Sequence, residues 1–277
     1  MVTYHNPIDR IYQYLFIAAF FLLPLTVVGN NIAIWSAIIL WLSTGNYLEK
    51  FNQIKRNKLA LASILFFFLH LVSLIWTENI YWGLEMSRKM LPFLFVLPIF
   101  LTLTRKENAK YYIGAFLLAI SITEVFSYLV WLEIIEPFKN ATVKNPTPFM
   151  SHISYNPFIA FAIYLVVNRL LTGEKLPQIE RVVYTFFTLT MTVNMFITGG
   201  RAGQVMFFVA IVILAFQYFK NSQVKATIIS IGIIVIISIW AFNASDLFAN
   251  RINAAFSDIA SYQHNKGRKQ HLLERKQ

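Results

Sequence analysis

Long apolar runs separated by short polar breaks dominate the pattern along this chain. Runs near 12–28, 31–44, 59–76, 90–104, 111–132, 157–171, 182–198, 202–219 and 226–243 are built mostly from Leu, Ile, Val, Phe and Ala. A helix needs ~20 apolar residues to cross ~30 Å of hydrocarbon. The pattern therefore predicts an all-α, polytopic transmembrane helical bundle of about nine spans, several of them short. The stretch from Ala226 to Ile237 has no strict two-residue alternation, which excludes a membrane β-barrel. The first run is too long, and too lightly charged at its start, for a cleaved leader, so it reads as an anchor. The division that follows is a transmembrane domain over 1–243 and a short extracytoplasmic tail over 244–277.

Composition agrees with this class. The chain is 57% hydrophobic and 13% charged, well outside soluble usage. A net charge of +11 would suit a nucleic-acid binder, but its distribution points to a lipid bilayer and no nucleic acid. With a cytoplasmic N-terminus, the inner segments collect Arg10, then Lys50, Lys55, Arg56 and Lys58, then Arg105, Lys106 and Lys110, then Arg169, Lys175 and Arg181, then Lys220 and Lys225. The outer loops up to 243 hold only Arg88, Lys89, Lys139, Lys144 and Arg201. That is the positive-inside bias. Basic residues after 243 break it, which marks the tail as unusual. There is no cysteine, which removes disulfides and thiolate metal sites. No cluster has metal-ligand spacing, and no motif calls for a cofactor.

Against this background Arg201 stands out, in Thr198-Gly199-Gly200-Arg201-Ala202-Gly203 between two apolar runs. A charge between membrane-length helices on so short a turn is expensive and marks a functional position by default. Gly199 and Gly200 permit a sharp turn with close backbone approach. If a helix opens near Ala202, its free N–H groups and the guanidinium form an anion cradle. Arg88 and Lys89 are expected to open another helix at the same outer depth, with Pro92 in its first turn, and to supply a second cationic contact suited to a pyrophosphate. The competing reading is that Arg201 snorkels to headgroups while Gly199-x-x-x-Gly203 packs helices.

Other polar positions carry less. Glu124, inside the fifth span, is either a proton relay or a protonated structural group. His70 reads as an interhelical hydrogen-bond partner. His152 lies at the end of the long outer loop 133–156 and is a weak candidate for a catalytic base. Asn168-Arg169 reads as interfacial snorkelling, and Trp76, Tyr81 and Trp82 as an aromatic belt.

The run Asn194-Met-Phe-Ile-Thr-Gly-Gly-Arg201-Ala-Gly-Gln-Val-Met-Phe-Phe resembles the core of the O-antigen ligase and O-antigen polymerase family, in which a helix ends in Ser/Thr-Gly-x-Arg-x-Gly. Arg88-Lys89 and His-x-x-Tyr-Asn-Pro at 152–157 stand in the order that family shows, and the similarity extends over about 10–260. The resemblance implies a glycosyltransferase of the bacterial inner membrane. Its donor would be an undecaprenyl-pyrophosphate-linked glycan and its acceptor lipid A-core, in lipopolysaccharide synthesis, or another glycan, for a polymerase. Arg201, Arg88, Lys89, Gly199 and Gly200 would hold the donor pyrophosphate on the periplasmic face. Members continue into a large periplasmic loop bearing a histidine proposed as the base. Here the sequence after Arg251-Ile-Asn-Ala-Ala-Phe turns short and basic, so the loop is expected to be truncated, leaving a fragment, an inactive form or half of a split enzyme. His264 and His271, in that ending, are not assigned the missing role. A transporter or flippase of a lipid-linked anion, with Glu124 coupling protons, is the alternative.

Overall fold

The structure is a computed structural model describing residues 7–139, 141–173, 176–245, 248–250, 253–254 and 257. It is all-helical, with 81% of residues in helix, and among the described residues the single bridge Thr142–Asn145 is the nearest thing to a strand. Among the described residues, five helices are long and apolar enough to cross a membrane, six if one bent pair counts as a span. The chain divides into two compact units, 1–119 and 120–277.

The first unit contains α1 (Pro7–Leu22), α2 (Val27–Ser43), α3 (Tyr47–Arg56), α4 (Lys58–Ser73), α5 (Ile80–Lys89), α6 (Leu91–Leu94), α7 (Val96–Leu103) and the start of α8 (Ala109–Trp131). The run at 12–28 does not form one helix. It breaks after Leu22, where Pro24 lacks a donor and Thr26 caps the next helix by accepting from the Gly29 N–H at 3.4 Å. Asn57 has two tasks: Oδ1 caps α4 through Leu59 and Ala60 at 3.0 and 3.2 Å, and Nδ2 donates to the Leu101 carbonyl on α7 at 3.3 Å. The run at 90–104 divides into α6 and α7, and the segment Leu91–Leu103 meets α5 at a 48° bend. Pro92, at the start of α6, accounts for a break at that point. Lys50 closes α2 from below: its ammonium donates to the Trp41 carbonyl and to Thr44 Oγ1 at 2.8 Å, a favourable place for a cation at a helix C-terminus. Burial there holds its pKa below the usual lysine value.

Tyr12, Phe16, Ala37 and Tyr112 form the buried centre of this unit. Phe16 is fully buried, with its ring 4.4 Å from Phe100 and 6.0 Å edge-on to Tyr112. In lipid the drive for such contacts is packing rather than escape from water. The Phe16→Ala substitution is expected to cost about 3 kcal/mol through the cavity it leaves, read as a lower melting temperature of the protein in detergent.

The second unit holds the rest of α8, then α9 (His152–Thr172), α10 (Gln178–Ile197), α11 (Arg201–Tyr218) and α12 (Gln223–Ala244). α9 begins earlier than the apolar run at 157–171, because Pro157 lies within its second turn instead of at its start. α10 has 20 residues but is diluted by threonines. Thr185, Thr188, Thr190 and Thr192 each donate to a carbonyl three or four residues back, so their hydroxyls make no demand on the surroundings. Outward-facing Ile228, Ile231, Val235, Ile236 and Ile239 on α12 are exposed; an apolar face of this size suits lipid. The 132–151 loop is packed by its own rings, with Phe138 and Phe149 edge-on to each other and to Phe126 of α8. Only isolated residues of the 244–277 tail are described, and His264 and His271 lie outside them.

Candidate functional site

α10 and α11 are joined by Thr198-Gly199-Gly200 alone. Such a short turn leaves backbone groups that need partners, and two asparagines supply them. Asn156, fully buried on α9, donates through Nδ2 to the carbonyls of Met195 at 3.3 Å and Gly200 at 3.2 Å. Its Oδ1 accepts from Thr198 Oγ1 at 2.5 Å. Asn145, from the 132–151 loop, accepts the Gly199 N–H on Oδ1 at 3.1 Å and places Nδ2 2.7 Å from His152 Nδ1. Beneath them, Asn194 accepts from the Tyr155 hydroxyl at 3.0 Å and donates to Ser127 Oγ at 3.0 Å. A fully satisfied buried network of this kind fixes one conformation.

The glycines serve close packing. Gly200 has φ −86° and ψ 93°, backbone that any residue adopts. A Cβ there, however, would lie 2.5 Å from the His152 carbonyl oxygen and 2.6 Å from Asn156 Cβ. A Cβ on Gly203 would overlap the Asn156 backbone, its oxygen 2.6 Å away. The packing role of the Gly-x-x-x-Gly pattern and the turn role of the diglycine are thus combined in one contact between α9 and α11.

That contact brings two helix N-termini together, His152 opening α9 and Arg201 opening α11. Neither helix has a side-chain cap or an acidic residue in its first turn, so orphan N–H groups and both positive dipole ends face the same place. Arg201 is exposed, and among the described residues it makes no ion pair or side-chain hydrogen bond. One turn on, the buried Gln204 has no partner for Nε2. Two uncapped helix starts side by side, with an exposed guanidinium on one of them, suit a multivalent anion.

The same geometry argues against His152 as a base. Gly199 fixes the Asn145 amide with oxygen toward the turn, so its NH₂ must face His152 and occupy the Nδ1 lone pair. The neutral ring then carries its proton on Nε2 and is a donor. The Asn145→Asp substitution keeps the acceptor for Gly199 but removes the donor. It is expected to move the His152 proton to Nδ1, which nitrogen NMR of the labelled ring detects.

Arg88 and Lys89 belong to the first unit. They do not open a helix but close α5, at the end where cations meet the helix dipole favourably. Lys89 pairs with Glu85 at 2.9 Å, both about half exposed, a contact of small energetic weight. His70 bonds within its own helix, Nδ1 to the Phe66 carbonyl at 2.9 Å, rather than across helices. Trp76, Tyr81 and Trp82 are exposed, as a belt requires. Among the described residues no group of three or more potential acidic or histidine ligands could hold a metal. Asn145, Asn156 and Gln204 carry site roles the sequence reading missed; an asparagine gives no pattern of its own until its neighbours are known. In comparisons with family models, with curated proteins and with solved structures, nothing matches this chain.

Proposed function

We propose that the chain is an O-antigen ligase-like glycosyltransferase of the bacterial inner membrane, transferring a glycan from undecaprenyl pyrophosphate to lipid A-core. The observation that carries this reading is Arg201, exposed at the N-terminus of α11 and without an ion pair among the described residues, beside the equally uncapped start of α9. In this reading the guanidinium forks onto the donor diphosphate and stabilises charge on the leaving group as the acceptor hydroxyl attacks the anomeric carbon. A polymerase, with a second glycan as acceptor, uses the same donor chemistry. In this reading about nine segments cross the membrane, the five or six long apolar helices among them, with the N-terminus cytoplasmic and the diglycine turn periplasmic. No general base is assigned among the described residues.

The test is transfer in vitro. Purified protein in lipid, given an undecaprenyl-pyrophosphate-linked glycan and lipid A-core, is expected to yield glycosylated core and undecaprenyl pyrophosphate; donor left intact with every acceptor tried contradicts the reading. Orientation has its own test, made simple by a chain without cysteine. A single Ala202→Cys substitution is expected to react with an impermeant maleimide from the periplasmic side, and reaction from the cytoplasmic side alone would invert the topology.

A further inference from the structure

Glu124 lies in the middle of α8, only 2% exposed, and among the described residues neither carboxyl oxygen has a hydrogen-bond partner. It is not short of polar neighbours. Its charge acts on Tyr128, one turn along its own helix, and on Tyr155 of α9, and the Thr190 hydroxyl of α10 faces it. In this conformation each of these hydroxyls donates elsewhere. Tyr128 donates to the Thr190 carbonyl at 2.6 Å, Tyr155 to Asn194 Oδ1 at 3.0 Å, and Thr190 to the carbonyls of Phe186 and Phe187 at 3.2 and 3.3 Å. Thr123, adjacent in sequence, donates to the Ile120 carbonyl at 2.7 Å.

Among the described residues, then, no donor is engaged with Glu124 in this conformation, and the Thr190 hydroxyl is the one neighbour that could turn to it. The titratable groups there are two tyrosines, which are neutral when protonated; α10 contributes Thr190 and Asn194, neither of them titratable. A bare carboxylate in such a place is untenable, because burial removes its hydration and nothing replaces it. Positive charge must arrive from outside the protein's own side chains. A proton would neutralise the carboxyl, and a small hard cation would be drawn to the carboxylate oxygens themselves.

We propose that Glu124 is an exchangeable site for one monovalent cation, a proton or a sodium ion, set where α8, α9 and α10 meet. The site touches the machinery above it through one residue: Tyr155, whose hydroxyl is influenced by Glu124, donates to Asn194, whose backbone carbonyl accepts the Thr198 N–H at 3.2 Å at the head of the diglycine turn. Occupancy of the site is thereby linked to the network that holds the diglycine turn before Arg201, whatever reaction that residue serves.

Infrared difference spectroscopy on the whole protein in lipid tests this, comparing wild type with Glu124→Gln. A protonated-carboxyl band absent from the variant is expected, and it falls about tenfold per pH unit above its midpoint. If protons alone fill the site, sodium in place of choline leaves that titration unmoved. If sodium competes, the band weakens as sodium rises and the midpoint shifts to lower pH. Mapping a hydrophobic carbodiimide adduct on the wild-type protein by peptide mass spectrometry gives a second readout that does not depend on the variant folding, since only an accessible protonated carboxyl reacts. A Glu124 band of constant intensity at every pH and sodium concentration, with no carbodiimide adduct, overturns the proposal.

Discussion

The Gly203→Ala substitution is expected to destabilise the second unit by about 3 kcal/mol or more, although it adds a single methyl group. On propensity alone alanine in a helix is better than glycine by ~1 kcal/mol. The expected sign is opposite here because the new Cβ would overlap the backbone of Asn156, and backbone cannot rotate away as a side-chain tip does. α9 and α11 must separate, and the Asn156 bonds to Met195, Gly200 and Thr198 loosen with them. Overpacking of this kind costs ~1–3 kcal/mol, and each buried polar group left unpaired adds ~1–3 kcal/mol. Gly232 on α12 is the control: nothing lies within 4 Å of a Cβ built there, so Gly232→Ala is expected to be neutral or slightly stabilising. Thermal unfolding in detergent reads both, and equal melting temperatures for the two variants would show that the α9–α11 contact is not as described.

The Arg201→Ala substitution is expected to lower transfer by about 10²–10³-fold, the range seen when one preorganised donor to a developing charge is removed. Folding should be nearly unaffected, because Arg201 makes no intramolecular bond among the described residues and its N-terminal helix position tolerates alanine. Arg201→Lys keeps the charge and loses the planar fork, so it is expected to fall between the two. A structural role predicts a different result, in which melting temperature and activity fall together. Unchanged transfer by Arg201→Ala at unchanged expression would remove the residue from the donor site.

Much of the helical architecture was legible because apolar runs of membrane length have few folded solutions. The boundaries were less so. The break at 23–26 turned on Pro24 and the Thr26 cap, and the bent start of the 90–104 run turned on Pro92, local features that averaging over a run conceals. Arg88 and Lys89 were misplaced at the start of a helix for the same reason: α5 has a polar face and a low overall apolarity, so it did not register as a helix of its own. At the site, Arg201 and the glycines could be found by their rarity within apolar surroundings. Asn145 could not, since its importance comes from meeting Gly199 and His152 across 54 and 7 positions, a relation that exists only in three dimensions. Glu124 was visible as a charge in a span, but whether it was satisfied depended on where four neighbouring hydroxyls donate.

Diphosphate binding at the N-terminus of α11, with Arg201, is what the proposed function requires. Binding of undecaprenyl pyrophosphate to the protein in lipid nanodiscs, measured for wild type and Arg201→Ala against undecaprenyl monophosphate, tests it most directly. Saturable binding is expected that prefers the diphosphate and that weakens by about tenfold or more in the variant. Equal affinity of the two proteins for the diphosphate would contradict it.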